Sequence, residues 1–456
     1  MRRLIFHIVC FSVLLVSAAQ ARLFNGEEFY LPNGMQVIVV PNHKAPIVKH
    51  MVWYKSGSVD EAPGKGGSAH LLEHLMFRGT AKVPGDGLNK ILEQNGAESN
   101  AFTSTDMTAY HQMTDISRLE LAMALEADRM QNLKLRDKDF ALERDIVYQE
   151  RKERVDNNPA GYFNETLRRV LWQNHPYARP VTGTPEEIMS LTKEDMEAFY
   201  KNHYAPNNAV LVLSGDIDAA TARQLAEKYY GPLKKRPLAP RPEMPRLEPS
   251  FKAFFTMEQP KVNSIRVGKI FAAPSYNIDP QDIYNLTVLS AYMGEGETSK
   301  LYKKLVLRDE KALDVSTAYD SGARGYGTFS ISAVPAPGIS GEELLEAIDD
   351  AWAESIRELT PAEVDKIKTK MRAGLVYLRD NPEHAAYIAG SLAAIGMPLN
   401  EIEKQADEID EVKASGVKKS AEKLWKHAPQ ASGILKPQKE LTPSGTDQPG
   451  KKEGRR

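Results

Sequence analysis

GGSAHLLEHLMFRGT, residues 66–80, places His70 and His74 four apart in a stretch of helical composition. Ser68 stands where an N-cap would, so a helix is predicted to begin just after it. On a helix, residues i and i+4 share a face, with Cβ atoms about 6 Å apart. Two imidazoles so placed suit one tetrahedral zinc ion. Glu73, three residues on from His70, lies on the flank of that face. There it can reach a water on the metal without being a ligand.

Catalytic zinc commonly takes three protein ligands and keeps a fourth position open. ALERDIVYQERKERV, residues 141–155, offers Glu143 and Glu150 two helical turns apart on one face. One carboxylate can complete the coordination while the other orients a histidine or the ligand carboxylate. Glu150 fits the ligand position, giving one zinc per chain held by His70, His74 and Glu150. By itself an H-x-x-E-H pentapeptide arises by chance, and a Glu143/Glu150 pair is more often a solvated face. The order is nevertheless the inverse of the commoner zinc-protease motif, and the surrounding sequence decides between the two.

The chain has 456 residues, 42% hydrophobic and 26% charged, enough for two or three soluble domains. A formal net charge of −2 gives no electrostatic case for nucleic acid or a membrane surface as partner. Arg2 and Arg3 precede an apolar run over 4–16, and Ala19-Gln20-Ala21 closes it with small residues. Residues 1–21 are therefore predicted to be a secretory signal peptide cut after Ala21. The apolar run is short for a bilayer, so no stable membrane insertion is expected. The only cysteine, Cys10, leaves with the signal, so any metal site must use His and carboxylates. A compact signal and a mature chain without thiols favour a bacterial periplasm.

Strands are predicted over 35–40, 50–55, 98–104, 108–113 and 209–214, with long helices over 115–133 and 137–156. Six prolines between Pro232 and Pro249 make 232–250 a stiff linker. Beyond it the coarse order returns: a strand over 264–271, a helix over 283–292, strands over 315–319 and 327–334, then helices from Gly341. The expected fold is α+β, with two homologous domains, each a mostly antiparallel sheet with helices packed on it. They span 22–231, bearing the metal, and 251–435. Residues 436–456, rich in Pro, Gly and Lys, are expected to form a disordered polar tail.

With these segments in place, the chain closely resembles the pitrilysin-type zinc peptidases. The likeness is to the branch of short two-domain chains that includes the mitochondrial processing peptidase. It rests on LPNGMQVIVVPN, SGSVDE, HLLEHLMFRGT, NAFTSTDMTAY, ERDIVYQE, HPYARPVTGTPEEI and HYAPNNAVLVLSGDID, and extends from about residue 30 to about 398. The resemblance implies a peptide-bond hydrolase with zinc on His70, His74 and Glu150, Glu73 activating water, and Glu143 supporting the site. It further implies that substrate adds as a strand to the segment around 98–104, with Asn100, Ala101 and Phe102 contacting its backbone.

One departure stands out. Active members complete the site with an arginine and a tyrosine from a later domain, in a segment resembling LR-x-x-x-x-L-x-Y. Here LRDEKALDV keeps Arg308, expected to hold substrate, but has Val315 at the tyrosine position. The chain is therefore expected to be the metal-bearing subunit of a two-subunit enzyme, with a homologous partner supplying the Arg/Tyr pair, or else a homodimer. The alternatives are that Tyr319 or Tyr326 substitutes locally, or that the chain is a non-catalytic peptide-binding or assembly scaffold.

Overall fold

β1 (Glu27–Tyr30), β2 (Gln36–Pro41), β3 (Ile47–Tyr54), β4 (Glu98–Thr103), β5 (Thr108–Asp115) and β6 (Ala209–Gly215) pair into one sheet, in the order β1-β2-β6-β3-β5-β4. β2 and β6 run parallel and the other pairs antiparallel. Every residue of β6 is buried, which is why AVLVLSG reads as a continuous apolar run with no polar alternation. The computed structural model describes residues 22–438 apart from 239, 242, 248 and 249. The expected signal peptide and most of the expected tail lie outside them.

A second sheet of five strands follows: β7 (Lys252–Gln259), β8 (Arg266–Ala273), β9 (Ala312–Asp320), β10 (Gly327–Pro335) and β11 (Gln430–Pro437). Its order, β7-β11-β8-β10-β9, repeats β2-β6-β3-β5-β4 strand for strand, including the parallel first pair. The chain is thus an α+β fold of two homologous units. Between the helix Ala219–Tyr229 and β7 no helix or strand occurs among the described residues, and the proposed linker lies in that stretch. β11 corrects the expected tail, because Lys436 and Pro437 still pair with β7.

The helices that matter for the site are α1 (Ser68–Met76) and α2 (Asp137–Arg151), the latter continuing as a π-helical turn, Lys152–Asp156. Three others tie the halves together: α3 (Pro159–Trp172), α4 (Pro382–Ala394) and α5 (Leu399–Glu403). α3 comes from the first half yet packs on the second sheet, where a β-carbon at Gly268 would meet Leu167 Cδ1 at 2.6 Å. α4 comes from the second half and covers β3 and β6 of the first. Ala385, Ala386, Ala389 and Ala393 are all buried on it. Small residues let its backbone approach the sheet closely. At Gly390 the approach is tightest, since any β-carbon there would run into the indole of Trp53. Gly390→Ala should therefore destabilise the fold by about 1–3 kcal/mol, the usual cost of overpacking. Thermal denaturation should show the midpoint falling by several degrees, and an unchanged midpoint would mean that α4 is not seated against Trp53.

The N-terminal segment adds a further tie. The Glu403 carboxylate on α5 accepts the backbone N–H groups of Phe24, Asn25 and Gly26 at 2.8, 3.2 and 2.6 Å. Leu23 and Phe24 are buried in the same core as α4.

Candidate metal centre

α1 begins differently from the capping predicted for Ser68. Ser68 is the first helical residue, and its hydroxyl donates to the Lys65 carbonyl. The N-cap is Gly67 at φ +88°, a left-handed conformation that favours glycine. Glu61 does the capping, its buried carboxylate accepting the N–H groups of Gly67 and Ala69 at 3.1 and 2.9 Å. The SGSVDE segment thus supplies a carboxylate to the positive end of the helix that carries the histidines.

From α1, His70 and His74 project together, their ring centroids 4.9 Å apart. Glu150, near the end of α2, reaches them from the other side. Its Oε2 lies 3.3 Å from His74 Nε2 and 3.7 Å from His70 Nε2. Tetrahedral zinc with bonds of about 2.0–2.1 Å separates its donors by about 3.3 Å. One donor atom from each of the three residues lies within 4.8 Å of the others, so the set fits a single zinc ion. His70 Nδ1 is buried without a hydrogen-bond partner among the described residues, so no bond from that nitrogen fixes the ring.

His74 is held more firmly. Its Nδ1 is 2.9 Å from Glu143 Oε2. A carboxylate accepts, so Nδ1 carries a proton, and once Nε2 gives up its own proton its lone pair is left for the metal position. Arg78 in turn donates to Glu143 Oε1, and Arg154 pairs with Glu150 Oε1 at 2.8 Å. Sequence reasoning missed both arginines. Arg154 had a legible signal, four residues after Glu150 on one continuous helical stretch; Arg78 lies past the end of α1, where helical spacing no longer applies.

Burial, with neighbouring His74 reinforcing it, holds His70 down at about 4. Burial also opposes charge on His74, but its bonds to Glu143 and Glu150 outweigh this and raise it to about 9. The His74 hydrogen bond keeps Glu150 below the usual carboxylate range. Burial raises Glu73, against the opposing hydrogen bond from Thr103. At pH 7.5, then, the metal-free protein carries a proton on His74 that zinc must displace. Zinc uptake should release about one proton per ion, with affinity climbing as pH rises toward about 9. Calorimetry in two buffers of different ionisation heat measures this; release of no proton would contradict the assignment of His74.

The centre opens into a cleft of about 750 Å³ whose walls include Glu73, Phe77, Asn89 and Arg154. Asn100, Ala101 and Phe102 line it from β4, the edge strand of the first sheet. The Phe102 ring, however, turns to the far face, against Trp53 at 5.3 Å and Tyr387 of α4 at 5.6 Å. Its part in the cleft is therefore its backbone. Arg308 does not line the cleft. It is exposed and paired with Glu354 and Asp309. The Tyr319 hydroxyl donates to the Pro274 carbonyl at 2.6 Å, and Tyr326 packs against a separate cluster containing Trp172. Neither lines the cleft.

Residues 36–185 match the family described as Insulinase (Peptidase family M16), and residues 190–371 match the Peptidase M16 inactive domain. The chain is 30% identical over 442 residues to the zinc protease PqqE of Helicobacter pylori, covering 93% of this chain and 97% of that one. It is 24% identical over 409 residues to the mitochondrial-processing peptidase subunit beta of Lentinula edodes, covering 87% and 86%. The crystal structure of a protease from Helicobacter pylori superposes with a TM-score of 0.85 at 28% identity, covering 90% of this chain and 99% of that chain.

Proposed function

The chain belongs to the M16 peptidase family, and from that premise we propose that it hydrolyses extended peptides using zinc on His70, His74 and Glu150. The observation that carries this is the convergence of those three donors from two helices on one cleft, with Glu73 beside them. Zinc in this position would lower the pKa of a bound water and polarise the scissile carbonyl. Glu73 takes the proton of the attacking water and returns it to the leaving amine. β4 offers its free edge to the substrate backbone, so main-chain hydrogen bonds supply affinity and the neighbouring side chains selectivity.

Three further parts belong to the same proposal. Residues 1–21 direct export to a bacterial periplasm, and among the described residues no helix is long and apolar enough to cross a membrane. The chain acts as the catalytic subunit beside a homologous partner that brings the missing Arg/Tyr pair. The division at 232–250 separates the zinc-bearing half from its homologous partner half. Metal analysis together with a quenched-peptide assay tests the central claim. A zinc-loaded chain that cleaves nothing, alone or with its partner, would leave the scaffold reading.

A further inference from the structure

Resting on that peptidase reading, we propose that Thr103 positions Glu73 for proton transfer, so that the strand receiving the substrate also aims the base. Thr103 is the last residue of β4 and lines the cleft. Its Oγ1 lies 2.5 Å from Glu73 Oε2. An ionised carboxylate can only accept, so the hydroxyl donates. Among the described residues no other acceptor competes for that hydrogen. The cross-strand neighbour Thr108 has a single hydroxyl hydrogen, and its shorter contact is the Ser56 carbonyl at 3.0 Å, against 3.4 Å to Thr103 Oγ1.

The terminal torsion of a glutamate is broad, so packing of the α1 backbone does not by itself fix the plane of the carboxylate. The bond from Thr103 to Oε2 fixes it. With Oε2 held, Oε1, which has no hydrogen-bond partner among the described residues, is the oxygen left on the cleft side for the attacking water. The proton taken there can pass to the leaving amine while Thr103 keeps its bond to Oε2, so the base returns to its starting orientation. The β-branch at Thr103 restricts χ1 and fixes the hydroxyl relative to the strand.

Among the described residues β4 is bonded on one side only, to β5. A substrate strand on its free edge completes a second set of backbone hydrogen bonds and steadies the residue that holds the base. The two faces of the strand divide the work: Thr103 meets α1, while Phe102 meets Tyr387 of α4. Substrate docking and base alignment thereby share one element.

Thr103→Val keeps the branched shape and removes only the donor. It should lower kcat about 10- to 100-fold, leave KM within about twofold and leave zinc content unchanged. Thr103→Ser restores the hydroxyl and should recover kcat to within about threefold of the parent. A Thr103→Val enzyme with parental kcat overturns the proposal, as does a Ser variant no better than Val. A second readout does not depend on turnover. The infrared difference between native and Glu73→Gln protein isolates the Glu73 carboxylate stretch, and the same difference in a Thr103→Val background should show that band shifted. A band that stays in place overturns the proposal whatever the activity. A parent chain silent toward peptides, alone and with its partner, removes the peptidase reading and with it the role assigned to this contact.

Discussion

Glu73→Gln should leave zinc at about one ion per chain while kcat falls by about three to four orders of magnitude. The substitution is isosteric, and its amide oxygen can still accept from Thr103, so the geometry around α1 persists. The donors proposed for zinc, on His70, His74 and Glu150, are untouched. What is lost is the basic oxygen, and general-base assistance is worth about 10²–10⁴ in rate. KM should change little, because the amide keeps the bond from Thr103 and so leaves in place the β4 edge proposed to bind the substrate backbone. Metal analysis, a stopped-flow or discontinuous peptide assay, and the thermal midpoint together check this. Turnover within tenfold of the parent, in a variant with full zinc, would mean that another group takes the proton. Loss of zinc would move Glu73 into the coordination sphere. That outcome is at odds with the structure, where Glu73 bonds to Thr103 and the three-donor cluster is complete without it.

How much of this was legible in the sequence depends on whether a contact is local. His70, Glu73 and His74 share one helix, so their geometry follows from its period, and Glu143 with Glu150 is the same case on α2. Glu61, by contrast, caps α1 from a loop, and Thr103 reaches Glu73 from a strand thirty positions away. No periodicity links such residues. The orientation of Phe102 was within reach, since neighbours on a strand point to opposite faces and Thr103 takes the α1 side. The exchange of α3 and α4 was not. An amphipathic helix announces that it buries a face, and nothing in its own sequence says on which of two similar sheets. Strands β1, β7 and β11 were not predicted either. β11 contains Gly433 and ends on Pro437, and β7 keeps alternate residues only partly buried, so neither carries a strong apolar signal. Their places follow from the internal repeat, where β7 and β11 answer to β2 and β6.

Mixing the purified chain with a homologous chain that carries the Arg/Tyr pair and lacks the zinc motif should raise kcat/KM about 10²- to 10³-fold. The reason lies in what the second half does not bring to the cleft. Val315 is buried on β9 and has no hydroxyl to offer. Tyr319 spends its proton on the Pro274 carbonyl, and Tyr326 belongs to another cluster. Arg308 is held by Glu354 at 2.9 and 3.1 Å, outside the cleft. Hydrolysis puts negative charge on the former carbonyl oxygen, and removing one donor aimed at that charge typically costs about 10²–10³ in rate. If the partner supplies the donor, Tyr→Phe in the partner should return the mixture most of the way to the rate of the chain alone. The same variant should leave assembly unchanged by analytical ultracentrifugation. A chain fully active by itself, with specific activity constant down to dilutions where no dimer survives, would exclude the partner. Stabilisation of the oxyanion would then have to come from within the cleft, where Arg154, 69% exposed and, among the described residues, paired with Glu150 alone, is a cation in place to provide it.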